Sequence, residues 1–151
     1  MKPDGLFVSS GPGNPEDATC VIETLRALRG KYPIFGVGLG HQLLALAYGA
    51  KTYKLPVGHG GANYPVRTLK TGKLDIVTQH HSYAVCEDSL KNTGLAVTHR
   101  NIMDNTVEGI AAEKDKAFAV QFYPVGTVDR TVPVNLYDSF INLMEEAKKN
   151  A

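Results

Sequence analysis

Two glycine-rich turns, Ser10-Gly11-Pro12-Gly13 and Gly36-Val37-Gly38-Leu39-Gly40-His41-Gln42, each follow a short apolar run and precede a helical pattern. At a strand-to-helix turn, glycines let backbone N–H groups face an anion or a developing oxyanion. The same residues also serve plainer ends: Gly-Pro-Gly makes a tight turn, and alternate glycines let a helix pack closely. Neither the dinucleotide fingerprint nor the phosphate-loop lysine is present, so nucleotide chemistry is not implied. A third loop, residues 122–126, ends the last apolar strand pattern. In open α/β sheets ligands bind at the carboxyl ends of strands, and these three loops nominate a site there.

His80 and Ser82 lie two apart in an extended segment and point to the same face. One reading is a Ser–His pair; the other is two ordinary polar residues at a strand end, because no carboxylate is placed to orient the imidazole. His80, His81 and His59 together suggest a metal centre. Adjacent histidines on a strand face opposite sides, so they do not share one ion, and neither a metal site nor a cofactor is expected. His99 reads as a surface residue. Cys20 falls on an apolar helix stripe, where burial is expected, and Cys86 follows a strand with no adjacent base to activate it.

The elements that must position these residues alternate at first. A short apolar strand spans residues 4–9, a helix 16–29, a buried strand 34–37 and a second helix 41–48 ended by Gly49. Val21, Ile22, Leu25 and Leu28 form the first helix's apolar stripe. Short strand candidates then follow at residues 51–55, 64–69, 74–78, 83–86, 95–99, 107–112 and 118–122, separated by glycine-rich or polar turns. A last helix covers residues 134–148, with Leu136, Phe140, Leu143 and Met144 on one face. An α/β sheet with an antiparallel excursion in its second half is the architecture this pattern predicts, in one domain over residues 1–151.

The 151 residues suffice for one domain with a real core. A net charge of +1, with Lys and Arg scattered, makes no electrostatic case for nucleic acid or an acidic membrane surface. No apolar run approaches a bilayer span. Two cysteines form neither a disulfide framework nor zinc spacing, and a reducing cytoplasm is the expected setting.

The chain resembles class I glutamine amidotransferases, and within them the glutaminase subunit of carbamoyl phosphate synthetase. The resemblance rests on several blocks in the expected order. Residues 4–15, Asp-Gly-Leu-Phe-Val-Ser-Ser-Gly-Pro-Gly-Asn-Pro, are similar to the family's first glycine loop, and residues 36–42 to its nucleophile turn. Residues 58–66, 79–85, 108–110 and 119–125 resemble the later blocks. This similarity implies a flavodoxin-like α/β fold with an antiparallel extension. It also implies a strand, helix and strand preceding the segment at Asp4, absent here. A sheet without them exposes an edge, and association into a homo-oligomer through that edge is expected. A synthetase large subunit is the other partner the resemblance implies.

The resemblance also assigns roles. The family's thiolate nucleophile falls at Gly38, its catalytic histidine at Tyr123 and its carboxylate at Val125. The oxyanion donors match the backbone N–H groups of Gly11 and Leu39 in loops that include Gly13. Substrate contacts match Gln42 and Tyr83, while His80 and Ser82 replace an amide and a glycine, and Tyr64 replaces a histidine. His41 and His81 match family histidines, for which structural hydrogen bonding is expected. Glycine has no side chain to attack a carbonyl, tyrosine is a poor base near neutral pH, and valine orients nothing. The replacements cluster in the site-forming blocks, which favours a pocket remodelled by design or by a new natural role. The expectation is a non-hydrolysing derivative. The alternatives are a repurposed hydrolase or small-molecule binder around His80, Ser82, Tyr64 and Tyr123, and a pseudoenzyme docking a synthetase partner.

Overall fold

A computed structural model of the chain describes residues 2–124 and 135–151. β1 (Leu6–Val8) leads into a 3-10 turn, Pro15–Asp17, and α1 (Thr19–Leu28). The turn begins where the Asn14 side chain accepts the Glu16 N–H at 3.1 Å. β2 (Ile34–Val37) follows, buried at every position, and then α2 (Leu39–Ala47). Two long strands, β3 (Thr52–Thr68) and β4 (Leu74–Val85), form a hairpin, followed by β5 (Ala96–Asn101), β6 (Val107–Ala112) and β7 (Ala117–Val120). The chain ends in α3 (Asn135–Lys149).

The sheet order is β1-β2-β7-β6-β4-β3-β5, with β5 also paired to β6. β1, β2 and β7 run parallel, and every other pairing is antiparallel. The expected α/β sheet with an antiparallel excursion is therefore present. Alternation along the strands divides the core. Ile34, Ala117 and Ala119 face α1 and α2, together with Ile22, Leu25, Leu43 and Leu44. Phe35, Val37 and Val120 face the other way, against Phe140 of α3. No helix among the described residues is long and apolar enough to cross a membrane.

Several sequence expectations are corrected. The separate strands at 51–55 and 64–69 are one strand, as are those at 74–78 and 83–86. The intervening Gly58-His59-Gly60-Gly61 segment has turn-like composition, but pairing with β4 holds it extended: His59 opposes His81, Gly60 opposes His80 and Gly61 opposes Gln79. Register shifts flank this trio on both sides, between Lys54 and His59 and between Gly61 and Tyr64. Such bulges re-aim side chains next to a site. Cys20 is exposed, not buried, because α1 turns Ile22 and Leu25 into the core and Cys20 away from it. His99 is mostly withdrawn from solvent, its ring 5.5 Å from that of Phe122.

The start of α2 is set by two glycines. A Cβ on Gly40 would strike the Val8 carbonyl, and one on Gly36 would lie 2.7 Å from the Gly40 oxygen. The missing side chains let α2 drop onto β1 and β2. Gly40→Ala is expected to cost about 1–3 kcal/mol, as overpacking of a tight interior does. A lowered urea midpoint with unchanged m-value checks it.

α2 also carries His41, fully buried, whose Nδ1 lies 3.3 Å from Gln121 Oε1. Burial lowers its pKa from 6.5 to about 3. Between those values the unfolded chain binds a proton that the native chain excludes, so stability falls as pH drops through that window. His41→Gln is expected to lose less stability than the parent between about pH 7 and about pH 4.5, as read from urea midpoints at each pH.

Candidate functional site

At the carboxyl ends of β1, β2 and β7, the loops after β1 and β2 and residue Tyr123 meet the middle of the β3–β4 hairpin. They enclose a cavity of about 780 Å³, within the size range of small-molecule sites. Ser10, Gly11, Gly13, Leu39 and Gln42 line one side, and Gly60, His80, Ser82, Tyr83 and Tyr123 the other.

Gly38 sits at the N-terminus of α2 with φ +58° and ψ −113°, a conformation that strains any residue with a Cβ. Its N–H donates to Val120 O at 2.9 Å, fixing the turn to β7. The side chain of Ser10 occupies the space over Gly38, so an added Cβ there would collide with Ser10 Oγ. Ser10 Oγ in turn donates to Tyr123 Oη at 3.5 Å. Tyr123 is held at the rim by its own N–H, which donates to Thr78 O at 3.0 Å. The two glycine loops touch: a Cβ on Gly11 would lie 3.2 Å from Leu39 Cδ2. Neither the Gly11 nor the Leu39 N–H has a backbone acceptor among the described residues. Leu39 is in the first turn of a helix, where such N–H groups are ordinarily free.

The sequence-nominated residues are placed unevenly. Gln42 borders the cavity, but its amide nitrogen donates to Tyr83 O at 2.7 Å and to Gln121 Oε1 at 2.9 Å. That leaves its oxygen as the group free for a ligand. The Tyr83 carbonyl is thus an internal acceptor in a residue that also lines the cavity. Tyr64, expected on the wall, does not line the cavity. Its hydroxyl accepts the Gly60 N–H at 2.9 Å, and its ring lies 4.9 Å from that of His59. His80 and Ser82 share the exposed face of β4, as alternation requires, with no hydrogen bond between them among the described residues. Val125 lies outside the described residues.

Sequence reading named His59 and His81, which line the cavity, but missed the group they form beneath it. His59, Gln79 and His81 point inward from the paired strands. They meet Glu108 of β6, fully buried, and Asp104 of the β5–β6 loop. Burial pushes the Glu108 carboxyl up to about 8 and lowers the His81 imidazole to about 4. Despite partial burial, hydrogen bonds from Thr106 and His59 hold the Asp104 carboxyl below its usual range. The available signal was the period-2 alternation that puts Gln79 and His81 opposite to His80 and Ser82. The strand pairing that adds His59 was not visible along the chain.

The profile of the "Glutamine amidotransferase class-I" family matches residues 1–143. The chain is 50% identical over its full 151 residues to the carbamoyl phosphate synthase pyrimidine-specific small chain of Halalkalibacterium halodurans. It is 45% identical over 149 residues, 99% of its length, to the carbamoyl phosphate synthase small chain of Staphylococcus epidermidis. It spans 42% and 41% of the length of these two relatives. Among solved structures, a putative GMP synthase protein from Thermoplasma acidophilum superposes with a TM-score of 0.77 at 20% identity. That match covers 97% of this chain and 75% of the other. A glutamine amidotransferase from Thermotoga maritima superposes at 0.65 with 19% identity, over 95% and 70% of the two chains. A strained glycine turn after β2, a glycine loop after β1, the profile match and the identity to synthase small chains agree: the chain belongs to the class I glutamine amidotransferase family.

Proposed function

We propose that this chain keeps the amidotransferase scaffold and its turn-borne backbone donors but does not hydrolyse glutamine. Gly38 carries the reading. It stands in the strained turn where the family presents its thiolate, it offers no nucleophile, and Ser10 fills the space its side chain would need. Tyr123, at the position of the family's histidine, engages Ser10 and is a poor base near neutral pH. The lining now combines Pro12, Leu39 and tyrosine with hydroxyl, amide and imidazole groups and the Lys54 amine, which suits a small ligand bearing polar groups. Clustered replacement over an intact framework favours remodelling, by design or by a new role, over decay.

The hydrolase alternative built on His80 and Ser82 draws less support. Both side chains are exposed and unlinked, and Tyr64 is turned away from the cavity. The kinship with synthase small chains favours a further role, docking to a large subunit of the synthetase type. Self-association through the outer edge of β1, where Phe7 is half exposed, is the other association the fold suggests.

Two assays test these proposals. Ammonia release from glutamine, followed with a coupled dehydrogenase, is expected to stay far below glutaminase rates. Enzymes stripped of a triad retain only ~10³–10⁴-fold over water. Gly38→Cys alone is expected to restore none of it, because the thiol lacks a base and must displace Ser10; substantial recovery would overturn this account of the site. In sedimentation velocity, a heavier species is expected on adding a synthetase large subunit. Unchanged sedimentation with that subunit removes the docking role, and a single monomeric boundary at high concentration removes the edge association.

A further inference from the structure

The inward side chains behind the cavity converge in an unusual sense: they present acceptors to one another. His81 Nδ1 lies 2.7 Å from the Tyr83 carbonyl, which can only accept. The His81 proton is therefore on Nδ1, and Nε2 is a bare lone pair. His59 Nε2 lies 2.7 Å from Asp104 Oδ2, an ionised carboxylate that also accepts from Thr106 through its other oxygen. His59 Nε2 therefore carries a proton, and in the neutral ring Nδ1 is bare. These two bare nitrogens face each other at 3.2 Å. Gln79 Oε1 stands 3.0 Å from His59 Nδ1 and 2.8 Å from His81 Nε2, and Glu108 Oε1 lies 3.9 Å from His59 Nδ1. Nitrogen and oxygen lone pairs at these separations repel unless a proton or a metal cation lies among them. Glu108 Oε2 is fully buried without a partner in the same place.

We propose that His59 Nδ1, His81 Nε2 and Glu108 Oε1, with Gln79 Oε1, form a binding site for one divalent transition cation of the zinc class. Four observations carry it. The donor set of two imidazoles and a carboxylate suits zinc, and the three ligand atoms lie within 4.8 Å of one another. Two ligand atoms at zinc–nitrogen distance around a tetrahedral ion are roughly 3.3 Å apart, close to the observed nitrogen–nitrogen separation. Each imidazole has its other nitrogen pinned by an oxygen acceptor, the outer arrangement that fixes a ligating histidine's tautomer. The ligands come from three strands, β3, β4 and β6, so the ion would tie the hairpin to the sheet core beneath the cavity. This site is separate from the Gly38 turn and does not rest on the reading of that turn. A competing account needs no metal: a second proton on His59 Nδ1 would be shared with Gln79 Oε1, or rotation of the Gln79 amide would let its nitrogen, now buried without an acceptor, donate to both imidazoles.

The test uses the full chain, stripped with a chelator, in a Cys20→Ser, Cys86→Ser background that removes the thiols. Isothermal titration with zinc chloride is expected to show one ion per chain. Titration with cobalt is expected to give the visible bands of a tetrahedral nitrogen–oxygen site, and saturating zinc is expected to raise Tm. Glu108→Gln or His59→Gln is expected to weaken binding at least ~100-fold, and His80→Gln, on the opposite face, to leave it unchanged. If either buried variant fails to fold, Asp104→Asn is read instead, with an expected ~10–100-fold loss through the released His59 tautomer. Absence of stoichiometric zinc binding to the folded parent overturns the proposal in favour of the amide network. So does binding that survives His59→Gln and Glu108→Gln, or Asp104→Asn where that variant is read in their place.

Discussion

The start of α2 lies closer to the parallel strands than any side chain would allow. Gly40 brings the helix backbone against the Val8 carbonyl, and Gly36 accepts the Gly40 oxygen into the space a Cβ would occupy. With this close approach, the Leu39 side chain lies against the Gly11 loop and Gly38 turns at a positive φ. The parallel side of the cavity follows from it. Move α2 outward by the width of a methyl group, and the two glycine loops no longer share a floor.

The other side of the cavity depends on strand register. Two bulges bracket three paired positions on β3 and β4, and the period of two separates the exposed His80 from the inward Gln79. Gly60, His80 and Ser82 line the cavity from the exposed face, while His59 and His81 border it from below and, with Gln79, reach inward to Glu108. A shift of one residue would exchange the two sets. Gln42 joins the halves: from α2 its amide reaches Tyr83 O on β4 and Gln121 just after β7. A residue matched to substrate contact thus also works as a structural tie, and both of its amide hydrogens serve that tie.

Legibility in the sequence followed the range of the interactions. β2 and α2 were readable because a continuous apolar run bounded by glycines is a local pattern, and the parallel core reinforces it. β3 was not, because Gly58-His59-Gly60-Gly61 has the composition of a turn and becomes a strand only through pairing with β4. The stripe on α1 was drawn too wide: Cys20 and Val21 lie beyond the arc that buries Ile22 and Leu25 in the core. Tyr64 was placed on the cavity wall by resemblance, but the bulge after Gly61 turns it toward His59 and the second core cluster.

What the chain alone determined is covalent and local. Position 38 has no side chain, so it supplies no nucleophile in any conformation, and the glycine spacing around it demands a tight strand-to-helix turn. The tertiary structure decided which distant groups meet. Ser10 came to fill the space over Gly38 and touch Tyr123, and His59, His81 and Glu108 came to share one buried volume. Those meetings are set by strand pairing and bulge position, which bring together residues tens of positions apart and leave no periodic trace along the sequence.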